Sequence, residues 1–244
     1  MSVRRLYAPN LPAEGGVIAL GEASSRHAQV LRLAVGDEVE LFDGRGRVAS
    51  AKVESLGNEV LCSAGAPVTI EASSARVFLM LAIPKGSKLD DCVRMATELG
   101  VDEVLLLRAE RSVPRWDVDR ARSKIERLTR IAAEAATQCE RADVPIIHAP
   151  KSCAEHLASM PPSARGVVFG ARATDAFDVD ETPEQVWCAI GPEGGFSNAE
   201  LAAFRAAGFA VASLGRWILR VDTAVAAALT VVQDRLRPAS SLTA

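Results

Sequence analysis

The sequence predicts an α/β protein preceded by a small all-β domain, and three observations carry that prediction. Residues 1 to about 70 read as short alternating runs separated by turn signals. From Arg76 onward, apolar runs of strand length alternate with amphipathic helical stretches, the pattern of a mainly parallel sheet covered by helices. Late in the chain, two glycine-containing loops each join a strand to a helix, which is where open α/β sheets hold ligands.

In the first region, Val35-Gly36-Asp37 precedes a strand over Glu38–Phe42. The Asp43-Gly44-Arg45-Gly46 turn then leads to a second strand from Val48 to Val53. A further turn at Gly57-Asn58 enters Glu59-Val60-Leu61-Cys62, so four or more strands recur at the spacing of a small barrel. Ala72-Ser73-Ser74-Ala75 reads as a linker. Strands follow at 76–83, 103–107, 145–148, 166–170, 186–190 and 210–214. Between them, Leu89 to Leu99 reads as a helix ended by Gly100, and Asp119 to Arg141 as a long one. Its buried stripe is Ile125, Leu128, Ala132, Ala135 and Cys139. Ser197-x-x-Glu200 is a capping box, and Asp222 or Thr223 is expected to cap a last helix that Pro238 stops.

Composition narrows the function classes. The 244 residues suffice for two domains, and 49% hydrophobic with 24% charged residues is ordinary for a packed protein. The apolar runs Val77–Ile83 and Ala224–Val232 fall short of a bilayer span, and no signal segment opens the chain, so a soluble cytoplasmic protein with no membrane partner is expected. Cys62, Cys92, Cys139, Cys153 and Cys188 form no C-x-x-C pair, which favours free core thiols over a metal site. The formal charge of −3 supplies no global attraction to nucleic acid. Local excess does. Residues 108 to 130 carry eight basic against four acidic side chains.

Ile190-Gly191-Pro192-Glu193-Gly194-Gly195-Phe196-Ser197 lets backbone approach a ligand closely, although a tight strand-to-helix turn explains it equally. Neither a dinucleotide fingerprint nor a P-loop is present, which disfavours phosphate binding. In the second loop, from Leu214 to Thr223, apolar Leu214, Ile218 and Leu219 interleave with Arg216, Arg220 and Asp222. That mixture suits a ligand with a flat apolar part beside a charged part. Read alone, the apolar residues are core and Arg220 pairs with Asp222 at the surface.

Together these loops resemble the bacterial small-subunit (16S) ribosomal RNA uridine-N3 methyltransferase family, a branch of the SPOUT superfamily. Arg4-Arg5, His27-x-x-Val30-Leu31-Arg32, Gly36-Asp37-x-x-x-Leu41-Phe42-Asp43-Gly44-x-Gly46, Ala96-Thr97-Glu98-Leu99-Gly100-Val101, Arg111-Ser112 and Gln138-Cys139-x-Arg141-x-x-x-Pro145 extend the likeness over most of the chain. The chain departs from the family pattern at Trp217, where arginine is usual, at Asp222, where glutamate is usual, and at Thr137. The resemblance implies a PUA-like β-barrel over 1–71, a SPOUT domain with a deep trefoil knot over 75–244, and a homodimer acting on 16S ribosomal RNA in the small subunit. It further implies S-adenosylmethionine held by Phe169, Gly170, Ile190, Gly191, Pro192, Glu193, Gly194, Gly195, Leu214, Gly215, Ile218, Leu219, Arg220 and Thr223. Arg4, Arg5, His27, Arg32, Arg111 and Arg115 are the expected RNA contacts, each weighed against an ordinary surface role. For chemistry, N3 of uridine must lose its proton. Arg220 is expected to stabilise the resulting charge, and Asp222 or Glu193 to accept the proton. A SPOUT methyltransferase of another RNA target, a non-catalytic RNA-binding protein, and a small-molecule transferase or nucleotide-binding enzyme of the doubly wound type are the rival readings.

Overall fold

A computed structural model describes residues 4–57, 59–71, 75–112, 116–170, 173, 175–178 and 183–237. Asn58 of the second expected turn, residues 72–74 of the linker, Arg115 and Pro238 lie outside them. The chain divides into two units, residues 1–72 with 133–144, and residues 73–132 with 145–244. Residues 133–144 thus group with the N-terminal residues rather than with the 75–132 and 145–244 segments.

In the first unit, β1 (Arg5–Tyr7), β2 (Gly16–Ala19), β3 (Glu38–Phe42), β4 (Arg47–Ser55) and β5 (Leu61–Ala64) order as β1-β3-β4-β5-β2, with β6 (Val68–Thr69) on β4. The Asp43 carboxylate sets the β3–β4 turn, accepting from the Arg45 and Arg47 N–H groups at 2.7 and 3.0 Å and from Arg47 Nε at 2.7 Å. Burial would raise its pKa, but the bonds from Arg47 and Arg45 win and hold it below the usual carboxylate range. The same turn pairs with the returning segment, since Val144 N–H donates to the Gly44 carbonyl and Gly46 N–H to that of Ala142. Phe42 and Val48 pack there on Ala136 and Ala142, with Tyr7 against the cluster.

A helix not expected from sequence, α1 (Glu22–Val30), also belongs to this unit and carries His27 in its last turn rather than on a strand. Buried serines hold it: Ser24 Oγ donates to the Tyr7 carbonyl at 2.6 Å, and Ser25 Oγ to that of Leu20 at 3.0 Å. Arg5, expected to reach RNA, is buried, its Nε 2.6 Å from Glu40 and its Nη1 donating to the Glu140 carbonyl. Its guanidinium serves the fold. Tyr7 likewise packs on Phe42, with ring centroids 5.2 Å apart.

The second unit is a six-stranded sheet with every pairing parallel, in the order β12-β10-β11-β7-β8-β9. Its strands are β7 (Arg76–Ala82), β8 (Glu103–Leu107), β9 (Ile146–Lys151), β10 (Arg165–Phe169), β11 (Gln185–Ile190) and β12 (Phe209–Ala212). Its helices are α2 (Lys88–Glu98), α3 (Val118–Gln138), the short α4 (Cys153–Leu157), α5 (Asn198–Ala206) and α6 (Val221–Leu236). Strands β7 and β11 are buried almost throughout, as a sheet covered on both faces requires. Helix α6 lies against α2 and β11 through a stripe of Val221, Val225, Ala228, Leu229 and Val232. On α3, Leu128, Ala132 and Ala135 are buried as expected, while Ile125, and Cys139 just beyond the helix end, are half-buried. Residues 133–138 of that helix are counted with the first unit. All five cysteines are free, and burial pushes the thiols of Cys92, Cys153 and Cys188 up to about 12, so each stays neutral. No helix among the described residues is long and apolar enough to cross a membrane.

Candidate active site

Parallel pairing decides where the loops meet. Phe169 stands in register with both Ile190 and Ala212, Ile190 with Leu81, and Ala82 with Leu107. The segments leaving β10, β11, β12, β7 and β8 therefore emerge side by side at one sheet edge, the C-terminal edge where such folds hold ligands. Gly170, residues 191–197, residues 213–220, Lys85 to Lys88 and Arg108 to Ser112 all lie there.

The first loop runs from Gly191 to Ser197. Gly195 N–H donates to the Pro192 carbonyl at 2.8 Å, closing a turn that places Gly195 at a φ of +67°, where a side chain is strained. A Cβ on Gly191 would stand 3.2 Å from the Phe196 ring and backbone nitrogen, so glycine permits the loop to fold back on itself. Ser197 caps α5 in the expected reciprocal box with Glu200. The Glu200 carboxylate is itself buried. It accepts from Glu110 N–H at 2.9 Å, Ser197 N–H at 2.8 Å and Cys153 Sγ at 3.6 Å. Arg111, expected at RNA, donates from Nη1 to the Gly194 carbonyl at 2.8 Å and to that of Phe196 at 3.4 Å.

The second loop is bonded mainly to itself. Ser213 N–H donates to the Asp175 carbonyl at 2.7 Å, and the Ser213 hydroxyl donates to the Gly215 carbonyl at 3.0 Å while accepting from Gly215 N–H at 3.1 Å. Beyond it, Trp217 is 70% and Ile218 83% exposed, with the Arg216 guanidinium 4.6 Å above the Trp217 ring centroid. The expected cap of α6 is corrected: Arg220 occupies the cap position with extended backbone and no capping side chain. Asp222 turns to Lys88 instead, Oδ1 lying 2.9 Å from Nζ. The hydrogen bond from Lys88 is the largest influence on that carboxyl and, with the N–H groups of Asp222 and Thr223, holds it below the usual range. The surface pairing of Arg220 with Asp222 is therefore absent. The Arg220 side chain is exposed and no described residue pairs with it.

Of the other expected ligand residues, Phe169 and Ile190 are buried at the ends of their strands, Phe169 edge-on to Phe177. Pro192 is buried, Leu214 and Leu219 half-buried, and Gly215, Thr223 and Glu193 exposed. Glu193 Oε1 accepts from Lys85 N–H at 3.2 Å. The expected RNA contacts Arg4, His27 and Arg32 belong to the first unit, where Arg4 pairs with Asp37. Lys85 and Lys88 went unexpected, although Pro84-Lys85-Gly86-Ser87-Lys88 leaves a strand as the two named loops do.

S-adenosylmethionine has a flat apolar base, polar base edges and a charged tail. Exposed Ile218 and half-buried Leu214 and Leu219 supply apolar contact, and no described residue accepts from the N–H groups of Ile218, Leu219 or Arg220. The residues present fit such a molecule.

Comparison with known proteins agrees with this geometry. The family model described as an RNA methyltransferase domain matches residues 71–233, and that of an RNA methyltransferase PUA domain matches residues 20–61. Ribosomal RNA small subunit methyltransferase E of Mycobacterium tuberculosis is 31% identical over 235 residues, covering 93% of this chain and 89% of that protein. The protein of the same name from Synechocystis is 31% identical over 249 residues, covering 97% and 78%. Among solved structures, the Neisseria gonorrhoeae enzyme of that name bound to S-adenosyl methionine superposes with a TM-score of 0.86 at 27% identity, covering 96% of this chain and 98% of that one. A Legionella pneumophila methyltransferase with bound SAM superposes at 0.87, with 27% identity and the same coverage. By a family match over most of its length and by its curated relatives, the chain belongs to the ribosomal RNA small subunit methyltransferase E family.

Proposed function

We propose that this protein transfers the methyl group of S-adenosylmethionine to N3 of a uridine in 16S ribosomal RNA of the assembled small subunit. The observation that carries the reading is the convergence of the 191–197 and 213–220 loops, with Arg220, at one sheet edge in a chain of this family. The methyl donor supplies an electrophilic carbon on a sulfonium. N3 loses its proton, its electron pair forms the new bond to that carbon, and the sulfur–carbon bond breaks to release S-adenosylhomocysteine.

Glycines 191, 194 and 195 with Leu214, Gly215, Ile218, Leu219 and Thr223 hold the donor, while Phe169, Gly170, Ile190 and Pro192 shape the edge beneath it. Arg220 stabilises the charge that spreads over the ring oxygens as N3 ionises. Asp222, tied to Lys88, is a weakened base, which favours Glu193 or solvent as proton acceptor. Arg4, His27 and Arg32 hold RNA from the first unit, phosphate contacts that position without reading sequence. The family's knotted path, a homodimer and a cytoplasmic setting complete the proposal.

Mass spectrometry of small-subunit ribosomal RNA nucleosides, from cells lacking and then regaining the protein, tests it. Loss and return of N3-methyluridine is the expected result. An unchanged nucleoside profile overturns the substrate assignment. Methylation in vitro of assembled subunits against free RNA then separates the two acceptors.

A further inference from the structure

Arg111 lies in the segment that leaves β8, and its guanidinium, although exposed, is hydrogen-bonded to the first loop. Nη1 donates to the carbonyl oxygens of Gly194 and Phe196, at 2.8 and 3.4 Å. The stem runs along the same backbone, with Cβ and Cδ both 3.5 Å from where a Cβ on Gly194 would stand. The amide partners of those two carbonyls are fixed as well. Gly195 N–H, in the peptide that carries the Gly194 carbonyl, donates to Pro192 at 2.8 Å. Ser197 N–H, in the peptide that carries the Phe196 carbonyl, donates to Glu200 at 2.8 Å. Because a peptide is planar with its C=O and N–H opposed, two alternate peptides of the loop are pinned at both ends. The peptide between Glu193 and Gly194 is the middle one of the turn that Gly195 N–H closes on Pro192, so the pinned Gly194–Gly195 peptide holds that turn in place, and no described residue accepts from the Gly194 N–H.

We propose that Arg111 is a positioning residue for the methyl donor: it holds the Gly194–Phe196 arch in the shape that aims the loop backbone at S-adenosylmethionine. The inference rests on the reading of residues 191–197 as a donor loop. It predicts an effect on donor affinity from an exposed arginine whose composition and place would otherwise assign it to RNA. Nη1 serves both carbonyls from the fixed plane of the guanidinium, a placement that a lysine ammonium on a flexible stem does not hold.

The test uses the full-length protein with Arg111→Ala and Arg111→Lys. Donor affinity is measured by calorimetry, affinity for small subunits without donor by filter binding, and thermal unfolding without donor as a check on the fold. Arg111→Ala is expected to weaken donor binding about tenfold, the loss typical of a charge-assisted hydrogen bond. The donor KM rises in step, kcat at saturating donor and affinity for the subunit stay near normal, and the unfolding midpoint is unchanged. Arg111→Lys restores less than half of the lost binding free energy. Normal donor affinity in Arg111→Ala, with weakened subunit binding that lysine rescues, makes the residue a phosphate contact and overturns the proposal. Failure of the unaltered protein to bind donor overturns the loop reading and this inference with it.

Discussion

The two loops that meet at the sheet edge are built on opposite plans. Residues 191–197 are tied to three other segments: the one leaving β8 through Arg111, the one leaving β7 through Lys85 N–H on Glu193, and α5 through the buried Glu200 carboxylate that also takes Glu110 and Cys153. Among the described residues, 213–220 are tied elsewhere at Ser213 and, through the Arg220 carbonyl, to α6, and Trp217 and Ile218 between them are largely exposed. A loop pinned in advance loses little conformational entropy when a ligand arrives, whereas one with few buried contacts is ordered at the expense of binding energy. Under the proposed function the first loop would fix where the donor sits, and the second would carry Arg220 toward the reacting base.

The comparison breaks most sharply at the glycines. Gly195→Val forces a β-branched residue into a φ of +67° in the pinned loop, and donor binding is expected to fall at least ~100-fold as the arch reshapes. Gly194→Ala has no such penalty, because its Cβ meets Arg111 at an ordinary 3.5 Å. Its donor affinity should stay within a few-fold of normal. Calorimetry on both variants decides; equal losses would show that the ligand itself, not the loop's shape, needs the missing side chains.

In the second loop the expected loss is in rate. Arg220→Ala should lower single-turnover methylation of small subunits by roughly 10²-fold with little change in donor affinity, the mark of a group that acts on charge developing in the transition state. Arg220→Lys keeps the charge but not the planar fork and should recover little. A loss confined to donor binding would make Arg220 part of the donor pocket and leave the base without its stabiliser.

Most of the second unit was legible because strand and helix periods differ and its strands are continuous apolar runs; all six fall within two residues of their expected limits at most ends. The capping box at Ser197 and Glu200 was readable from spacing. The same pattern at Ser152 and Glu155, which caps α4 and lowers Glu155 to about 2 through the Ser152 backbone and hydroxyl and Arg108, was equally present but sits beside no long apolar face. Helix α1 hid for a different reason: its buried side is Ser24, Ser25 and Ala28, and hydroxyls that bond distant carbonyls look polar in sequence. Arginines were the least legible. Arg5, Arg111 and Arg220 are alike on paper, and only partners across the fold separate a buried ion pair, a loop brace and an unpaired side chain.

Stability should follow the same contrast. Glu200→Gln keeps the shape but leaves one oxygen where two now take Glu110, Ser197 and Cys153, so unfolding free energy should drop by about 1.5–3 kcal/mol. Trp217→Ala, at an exposed position in the other loop, should change stability by no more than ~0.5 kcal/mol. Denaturant titration compares them, and an equal drop would mean that the second loop is as firmly held as the first.

The smallest expected effect concerns the carboxylates that the two loops present. Asp222 is held ionised by Lys88, and a depressed pKa of this kind gives a contribution that is complete above the unfolded value of 3.8 and lost only as pH falls through the lower folded one. Nothing about Asp222 titrates between pH 5 and 9. The rate should therefore climb through that range as more N3 ionises, and Asp222→Asn should leave the shape of the curve intact. Its level should shift by only ~2–5-fold, since the pair with Lys88 is about one-third exposed on each side and such pairs contribute little. If Asp222→Asn instead flattens the pH dependence or lowers the rate as far as Arg220→Ala does, the proton leaves N3 through Asp222. The pairing with Lys88 must then open during the reaction, and the first turn of α6, not the first loop, holds the base.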